Sequence, residues 1–251
     1  MAGRVFGVGI WTGTRVQFLA EAREALQSPA GGVRALHTLN PEILVNAWRT
    51  KDFRDLLNLG TWNTVDGVGL QVALTRKGVP VPERLCGSDL IYDLAALCLS
   101  VNRPLYFIGG MPTRLQKAMD NLRAQFPGLV VEGVSPKPGQ GLDFAEQSAI
   151  EADLRQLKPG VVAVCLGSPR QEQWIQRYKT LLNECQVGVA GGLGGTVDFV
   201  SGEVERAPVW VRKLGVEWLF RLMKNPSRLR RQLSALPIFG LCALTGYKIE
   251  A

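Results

Sequence analysis

Along most of the chain, short apolar runs rich in β-branched residues and ending in glycine alternate with longer segments whose apolar positions recur every three or four residues. The short runs fit strands buried on both faces, and the longer segments fit amphipathic helices. VRALHTLN (33–40) leads through Pro41 into a helix expected to reach about Leu59, and TWNTVDG (61–67) follows as a strand or loop. A helix from about Gly87 to Ser100, opened by Ser88, precedes the strand PLYFIGG (104–110). Pro112 and Thr113 then begin a helix that Pro127-Gly128 closes. Strand LVVEGVS (129–135), a helix from Asp143 to about Leu157, strand VVAVCLG (161–167), a helix from Pro169 to about Asn183 and strand QVGVAGG (186–192) complete the series. The alternation predicts an α/β fold, a Rossmann-like, mostly parallel sheet with helices on both faces.

After Gly202 the alternation stops and a basic amphipathic stretch begins at Arg206-Ala-Pro. Pro208 suits a first helical position, whereas Pro226 must break or restart the helix. The expected organisation is an α/β domain over 1–205 and a basic helical appendage over 206–251.

Composition narrows the chemistry. The chain has 251 residues, enough to bury a core without disulfides or a structural metal. Its five cysteines form an odd set with no C-x-x-C, which argues against a disulfide framework and a zinc ribbon and fits a reducing cytoplasm. A single histidine, His37, excludes a His-rich zinc site and reads as a packing residue near a strand end. Neither a signal peptide nor an apolar run of about 18 residues is found. The longest apolar stretch, Ala235 to Leu244, contains Pro237 and Gly240, so it is expected to lie on a surface and not to cross one. Net charge is +7, and the stretch from Glu203 to Ala251, with nine Lys/Arg against four Glu, holds +5 of it. Such a patch favours phosphates on nucleotides, nucleic acids or anionic lipids, and it also fits a solvated helix face.

Ligands of open parallel sheets sit beyond the carboxyl ends of the strands. Three strands here end in loops suited to that place: F-I-G-G-M-P-T (107–113), C-L-G-S-P-R-Q-E (165–172) and A-G-G-L-G-G-T-V-D (190–198). None is a P-loop, and the last lacks the G-x-G-x-x-G spacing of a dinucleotide fingerprint, which weakens the alternative of an NAD(P)-dependent oxidoreductase. No D-x-D occurs, so a departing diphosphate would be neutralised by arginines and helix N-termini in place of a divalent ion. Arg221, Arg228 and Arg231 would share one face of a helix continuous through Pro226. Asp66 and Asp198 stand at strand and loop ends, where acid-base chemistry and turn capping are both open readings. A non-enzymatic nucleic-acid-binding module is the other alternative; it requires exposed aromatics among the basic residues, but the aromatics near these arginines fall at core spacing.

Taken in order, T-L-N-P-E (38–42), V-D-G-V-G (65–69), E-R-L-C-G-S-D-L (83–90), F-I-G-G-M-P (107–112), L-G-S-P-R-Q-E-Q-W-I (166–175), G-G-L-G-G-T-V-D-F-V-S-G (191–202) and the stretches 206–222 and 225–231 resemble the WecG/TagA/CpsF glycosyltransferase family, glycosyltransferase family 26. The resemblance covers nearly the whole chain from about residue 33. It implies an inverting, metal-independent and cofactor-free transferase. Such an enzyme moves an N-acetylmannosamine-type or related hexose from a UDP-sugar donor to a polyprenyl-diphospho-sugar acceptor in cell-surface polysaccharide or teichoic-acid-type biosynthesis. By matching position, Asp66 becomes the general base, Thr38 and Asn40 line its pocket, Gln171 contacts substrate and Asp198 holds the nucleotide. Arg221, Arg228 and Arg231 then stabilise the departing UDP. The implied setting is the inner face of the cell membrane, with peripheral binding to its anionic surface, no nucleic-acid partner, and self-association away from membranes.

Overall fold

The computed structural model describes residues 3–137, 142–205, 207–208, 220 and 229–250. In chain order the elements are β1 (Gly3–Val5), β2 (Val8–Ile10), α1 (Arg15–Gln27), β3 (Arg34–Leu39), α2 (Pro41–Arg49), α3 (Lys51–Leu57), β4 (Trp62–Val65), α4 (Val68–Arg76), α5 (Gly87–Ser100), β5 (Leu105–Gly109) and α6 (Pro112–Gln125). They continue as β6 (Val131–Val134), α7 (Phe144–Leu157), β7 (Val161–Cys165), α8 (Arg170–Arg177), α9 (Lys179–Glu184), β8 (Val189–Gly192), α10 (Thr196–Val200), α11 (Leu229–Thr245) and β9 (Ile249–Glu250).

Six strands form one sheet in the order β4-β3-β8-β7-β5-β6, and every pairing within it is parallel. Successive side chains of a strand point to opposite faces, so each central strand feeds two cores. Leu105, Phe107, Val161 and Ala163 pack on one side with Phe18, Leu94 and Leu122 of α1, α5 and α6. Tyr106, Ile108, Val162 and Val164 pack on the other with Ile150, Leu154, Trp174 and Leu182 of α7, α8 and α9. This two-faced burial is why the strands read as continuous apolar runs, and it makes the fold α/β as the pattern requires.

β5 leads through α6 outward to β6, whereas its neighbour β7 leads through α8 and α9 the opposite way to β8. Diverging connections leave a crevice above the carboxyl ends of these two strands. Gly109 and Gly110, at φ 104 and φ 85, turn the chain sharply there. A Cβ on Gly110 would meet Val197 Cγ1 at 2.8 Å, so glycine also lets α10 close in.

Two expected helices are divided. The one from Pro41 breaks at Thr50, whose extended backbone ends α2 and begins α3. The one from Pro169 is interrupted at Tyr178 between α8 and α9. Cys86, not Ser88, occupies the N-cap of α5 and makes no side-chain capping bond. TWNTVDG does contain a strand, β4.

The N-terminal hairpin is extended by the far end of the sequence: β9 pairs antiparallel with β1, placing Arg4 opposite Glu250 and Val5 opposite Ile249. A third apolar cluster follows, joining Phe6 and Val8 of the hairpin region, Leu44 of α2, Leu70 of α4, and Ala235, Phe239 and Cys242 of α11. Phe239 meets the Phe6 ring edge-on at 6.2 Å between centroids. Thus α11 seals the carboxyl ends of β3 and β4 on one side, against α2 and α4.

Candidate functional site

Two cavities open at the carboxyl edge of the sheet. The smaller, about 340 Å³, lies at the ends of β3, β4 and β8 and is lined by Thr38, Asn40, Asp66 and Gln171. The larger, about 780 Å³, lies over β5 and β7 and is lined by Gly110, Arg114, Trp174 and Asp198, among others. Gly167, Gly194 and Gly195 border both. All three glycine-bearing loops singled out in the sequence therefore meet at this edge.

Each polar side chain is placed by local structure. Asn40 is the N-cap of α2: its Oδ1 accepts from the Ile43 N–H at 3.1 Å, which leaves its NH₂ end for the cavity. Asp66 follows β4 directly, and its own N–H donates to Leu39 O at 2.9 Å, which ties it to the end of β3. The next residue, Gly67, lies so near α2 that a Cβ would meet Pro41 Cδ at 3.1 Å. Glycine here is what lets Asp66 and Asn40 share a wall. Thr38 is buried and donates from Oγ1 to Gly192 O at 3.3 Å. Across from it a Cβ on Gly87 would sit 3.4 Å from both Thr38 Oγ1 and Thr196 Oγ1.

Gln171 is 2% exposed and both ends of its amide are engaged. Oε1 accepts from Gly194 N–H at 3.0 Å while Nε2 donates to Glu172 Oε1 at 2.9 Å. The side chain thus pins the glycine rim between the cavities. Glu172 is itself buried, and burial drives its carboxyl pKa up against the lowering effect of the Gln171 hydrogen bond. Glu172 Oε2 and Ser168 Oγ lack hydrogen-bond partners among the described residues. Beside Asp66, Cys86 donates weakly from Sγ to the Asp66 backbone oxygen at 3.4 Å. Burial first, and the Asp66 charge second, hold it as a thiol well above the usual range.

Asp198 stands apart from the other four. It sits in the first turn of α10 and accepts from Arg114 Nη1 at 2.7 Å, while Arg114 Nε donates to Glu203 at 3.0 Å. Arg114 is thereby fixed at the rim of the larger cavity by two carboxylates. Arg221 and Arg228 lie outside the described residues, as does the side chain of Arg231, whose backbone belongs to α11.

His37 takes no part in either cavity lining. It is buried in β3, its Nδ1 2.9 Å from Asn63 Oδ1, and desolvation lowers its pKa to about 4. It is a packed neutral imidazole, as its isolation in the sequence implied. Among the described residues no three His, Cys, Asp or Glu side chains gather as a metal-ligand set.

Arg114, and Arg49 in the lining of the smaller cavity, are parts of the site that sequence reasoning missed; Glu172 borders neither cavity and acts by holding Gln171. Arg114 had a signal, its place in the first turn of the helix that follows F-I-G-G-M-P. Arg49 had none, since it reads as an ordinary polar position on a helix; Glu172 lay within the quoted 166–175 motif without being singled out.

The model of the glycosyl transferase WecG/TagA/CpsF family matches residues 3–250. A Bacillus spizizenii protein named N-acetylglucosaminyldiphosphoundecaprenol N-acetyl-beta-D-mannosaminyltransferase is 32% identical over 197 residues, 78% of this chain and 74% of its own. Proteins of the same name from Bacillus subtilis and Staphylococcus aureus are 28% and 25% identical, covering 83% and 94% of this chain and 78% and 89% of theirs. A parallel sheet whose strand ends gather the quoted motifs around two adjoining cavities, with a match spanning nearly every residue, places this chain in the WecG/TagA/CpsF family: it is a glycosyltransferase.

Proposed function

We propose that the protein transfers an N-acetylmannosamine-type hexose, with inversion, from a UDP-sugar to the sugar of a polyprenyl-diphospho-linked acceptor, in the assembly of a cell-surface polymer. The observation that carries this reading is the convergence of Thr38, Asn40 and Asp66, from two separate strand ends, with Gln171 in one cavity that adjoins a larger one. The printed names of the relatives support the acceptor and the sugar class.

In the proposed reaction the nucleotide occupies the larger cavity, with its diphosphate against the glycine rim and Arg114 nearby. The donor sugar reaches past Gly194 into the smaller cavity. An acceptor hydroxyl attacks the anomeric carbon from the face opposite the phosphate; the new C–O bond forms as the bond to the diphosphate breaks. Asp66 takes the hydroxyl proton, and UDP leaves with the bonding electrons. No enzyme nucleophile is needed, because one displacement inverts the centre. Backbone N–H groups and guanidinium groups meet the charge that builds on the leaving diphosphate, so no divalent ion is required. Arg221, Arg228 and Arg231 are assigned to that task by motif position.

The chain acts at the inner membrane face as a peripheral protein, with 1–205 as the catalytic part and 206–251 as the membrane-associating part. No helix among the described residues is long and apolar enough to cross a membrane. The outer side of α11 exposes Leu233, Leu241 and Leu244, which supports interfacial contact. The decisive experiment screens UDP-sugars for UDP release with a short-chain lipid-diphosphate-GlcNAc acceptor, with and without EDTA. Transfer from UDP-N-acetylmannosamine that persists in EDTA is expected; release with no UDP-sugar, or only with a divalent ion, overturns the reading.

A further inference from the structure

The smaller cavity does not end at Asp66. It continues along α2, where Glu42, Asn46 and Arg49 follow one another at i, i+4 and i+7 on the face that lines it. Its far wall is α11, through Ser234 and Ala235. Arg49 Nη2 donates to Ser234 O at 3.0 Å, which places the guanidinium between the two helices at the mouth. The remaining N–H groups of its fork have no carboxylate partner among the described residues. Arg49 is also the single lysine or arginine among the described residues that line this cavity, and it does not border the larger one.

Resting on the reading of the reaction above, we infer that Arg49 receives the diphosphate of the lipid-linked acceptor and so sets which end of that acceptor enters first. Three observations bear on this. Among the described residues that line the cavity the one cation stands seven residues along α2 from Glu42 and away from Asp66, so an anionic diphosphate is favoured at the Arg49 end and the neutral sugar at the other. The spacing suits it. A rise of about 1.5 Å per residue carries the α2 backbone about 13 Å from Asn40 to Arg49, and arginine side chains on a helix lean back toward its N-terminus. The helix that Arg49 ties to α2 also exposes the apolar side chains of Leu233 and Leu241 on its outer side, a surface suited to a polyprenyl chain.

The test measures KM on the full-length chain for two short-chain acceptors, lipid-diphosphate-GlcNAc and the same lipid with a single phosphate. Wild type is expected to favour the diphosphate. Arg49→Ala should raise KM for the diphosphate acceptor about tenfold or more, the loss expected when a charge-assisted hydrogen bond is removed. KM for the monophosphate acceptor and for the UDP-sugar should stay within about twofold. Arg49→Lys, which keeps the charge without the fork, should recover part of the preference. Loss of the α2–α11 tie alone would weaken both acceptors alike, so a vanished preference separates phosphate recognition from a structural effect. Retained preference in Arg49→Ala, or an equal rise in the KM of the UDP-sugar, overturns the assignment while leaving the reaction in place. Failure of wild type to glycosylate either lipid overturns both.

Discussion

Asp66 is a catalytic base in the proposed reaction by virtue of its neighbours: Leu39 fixes its backbone, Gly67 clears the approach to α2, and Cys86 packs as an uncharged thiol beside it. Asp66→Asn keeps the shape and removes the proton acceptor, so turnover should fall about 100-fold or more. UDP affinity, read by titration calorimetry, should be unchanged because the proposed nucleotide site is the other cavity. Loss of UDP binding in the variant would place Asp66 with the nucleotide. His37 governs a different property. Its folded pKa of about 4 lies below the ordinary value of 6.5, so its contribution to stability is complete above pH 6.5. That contribution fades as pH falls toward 4, where the unfolded chain takes up a proton that the folded chain refuses. The span corresponds to about 3 kcal/mol. Denaturant titrations should show a slope in that window which His37→Gln flattens; equal slopes would mean that other groups dominate acid unfolding. Asp66 was legible in the sequence because it stands at a strand end, and the ends of parallel strands are where ligands sit; Thr38 and Asn40 came only from the family resemblance. Arg49 was not legible, because only the fold reveals that it faces a cavity, and the burial of Glu172, though it stands within a quoted motif, is likewise visible only in the fold.

Elements were legible to the extent that periodicity marked them. The strands of the main sheet stand out because, the edge strand β6 apart, both of their faces are largely buried, whereas β1, β2 and β9 are two or three residues long and carry too little pattern to detect. α4 follows a loop so closely that Gly67 and Gly69 read as loop residues, although Gly69 lies inside the helix. The break at Thr50 was hidden by helix-forming residues on both sides. The helix α11 is two-sided: Ala235, Phe239 and Cys242 are buried, and Leu233, Leu241 and Leu244 on the other face are 64%, 64% and 73% exposed. Its buried face belongs to the core shared with α2 and the N-terminal hairpin. Deleting the appendage would therefore open that core, so membrane binding is better tested by point changes. Leu241→Ser with Leu244→Ser should reduce sedimentation with anionic vesicles several-fold while the melting temperature holds, since neither side chain contributes to packing. Undiminished binding would remove α11 from the membrane contact.

At the scale of the whole molecule, a net charge of +7 is distributed unevenly, with +5 arising after residue 202. The elements that close the smaller cavity come from distant parts of the sequence: β3 and β4 near the start, α8 and β8 late, and α11 near the end. A parallel sheet with crossover connections makes such long-range assembly necessary. The recognisable motifs are spread over the chain for that reason, and each one alone is modest.

Gly167, Gly194 and Gly195 face both cavities, and Gln171 grips the middle of that rim. A partition this thin makes the two chambers thermodynamically dependent: whatever settles on one side alters the shape offered on the other. The two substrates should therefore influence each other's apparent affinity by the same factor in both directions. Initial rates varied over both concentrations should give intersecting lines with an interaction constant different from one. Gln171→Ala, which releases the partition, should bring that constant toward unity, and a constant of one in wild type would mean that the shared wall transmits nothing.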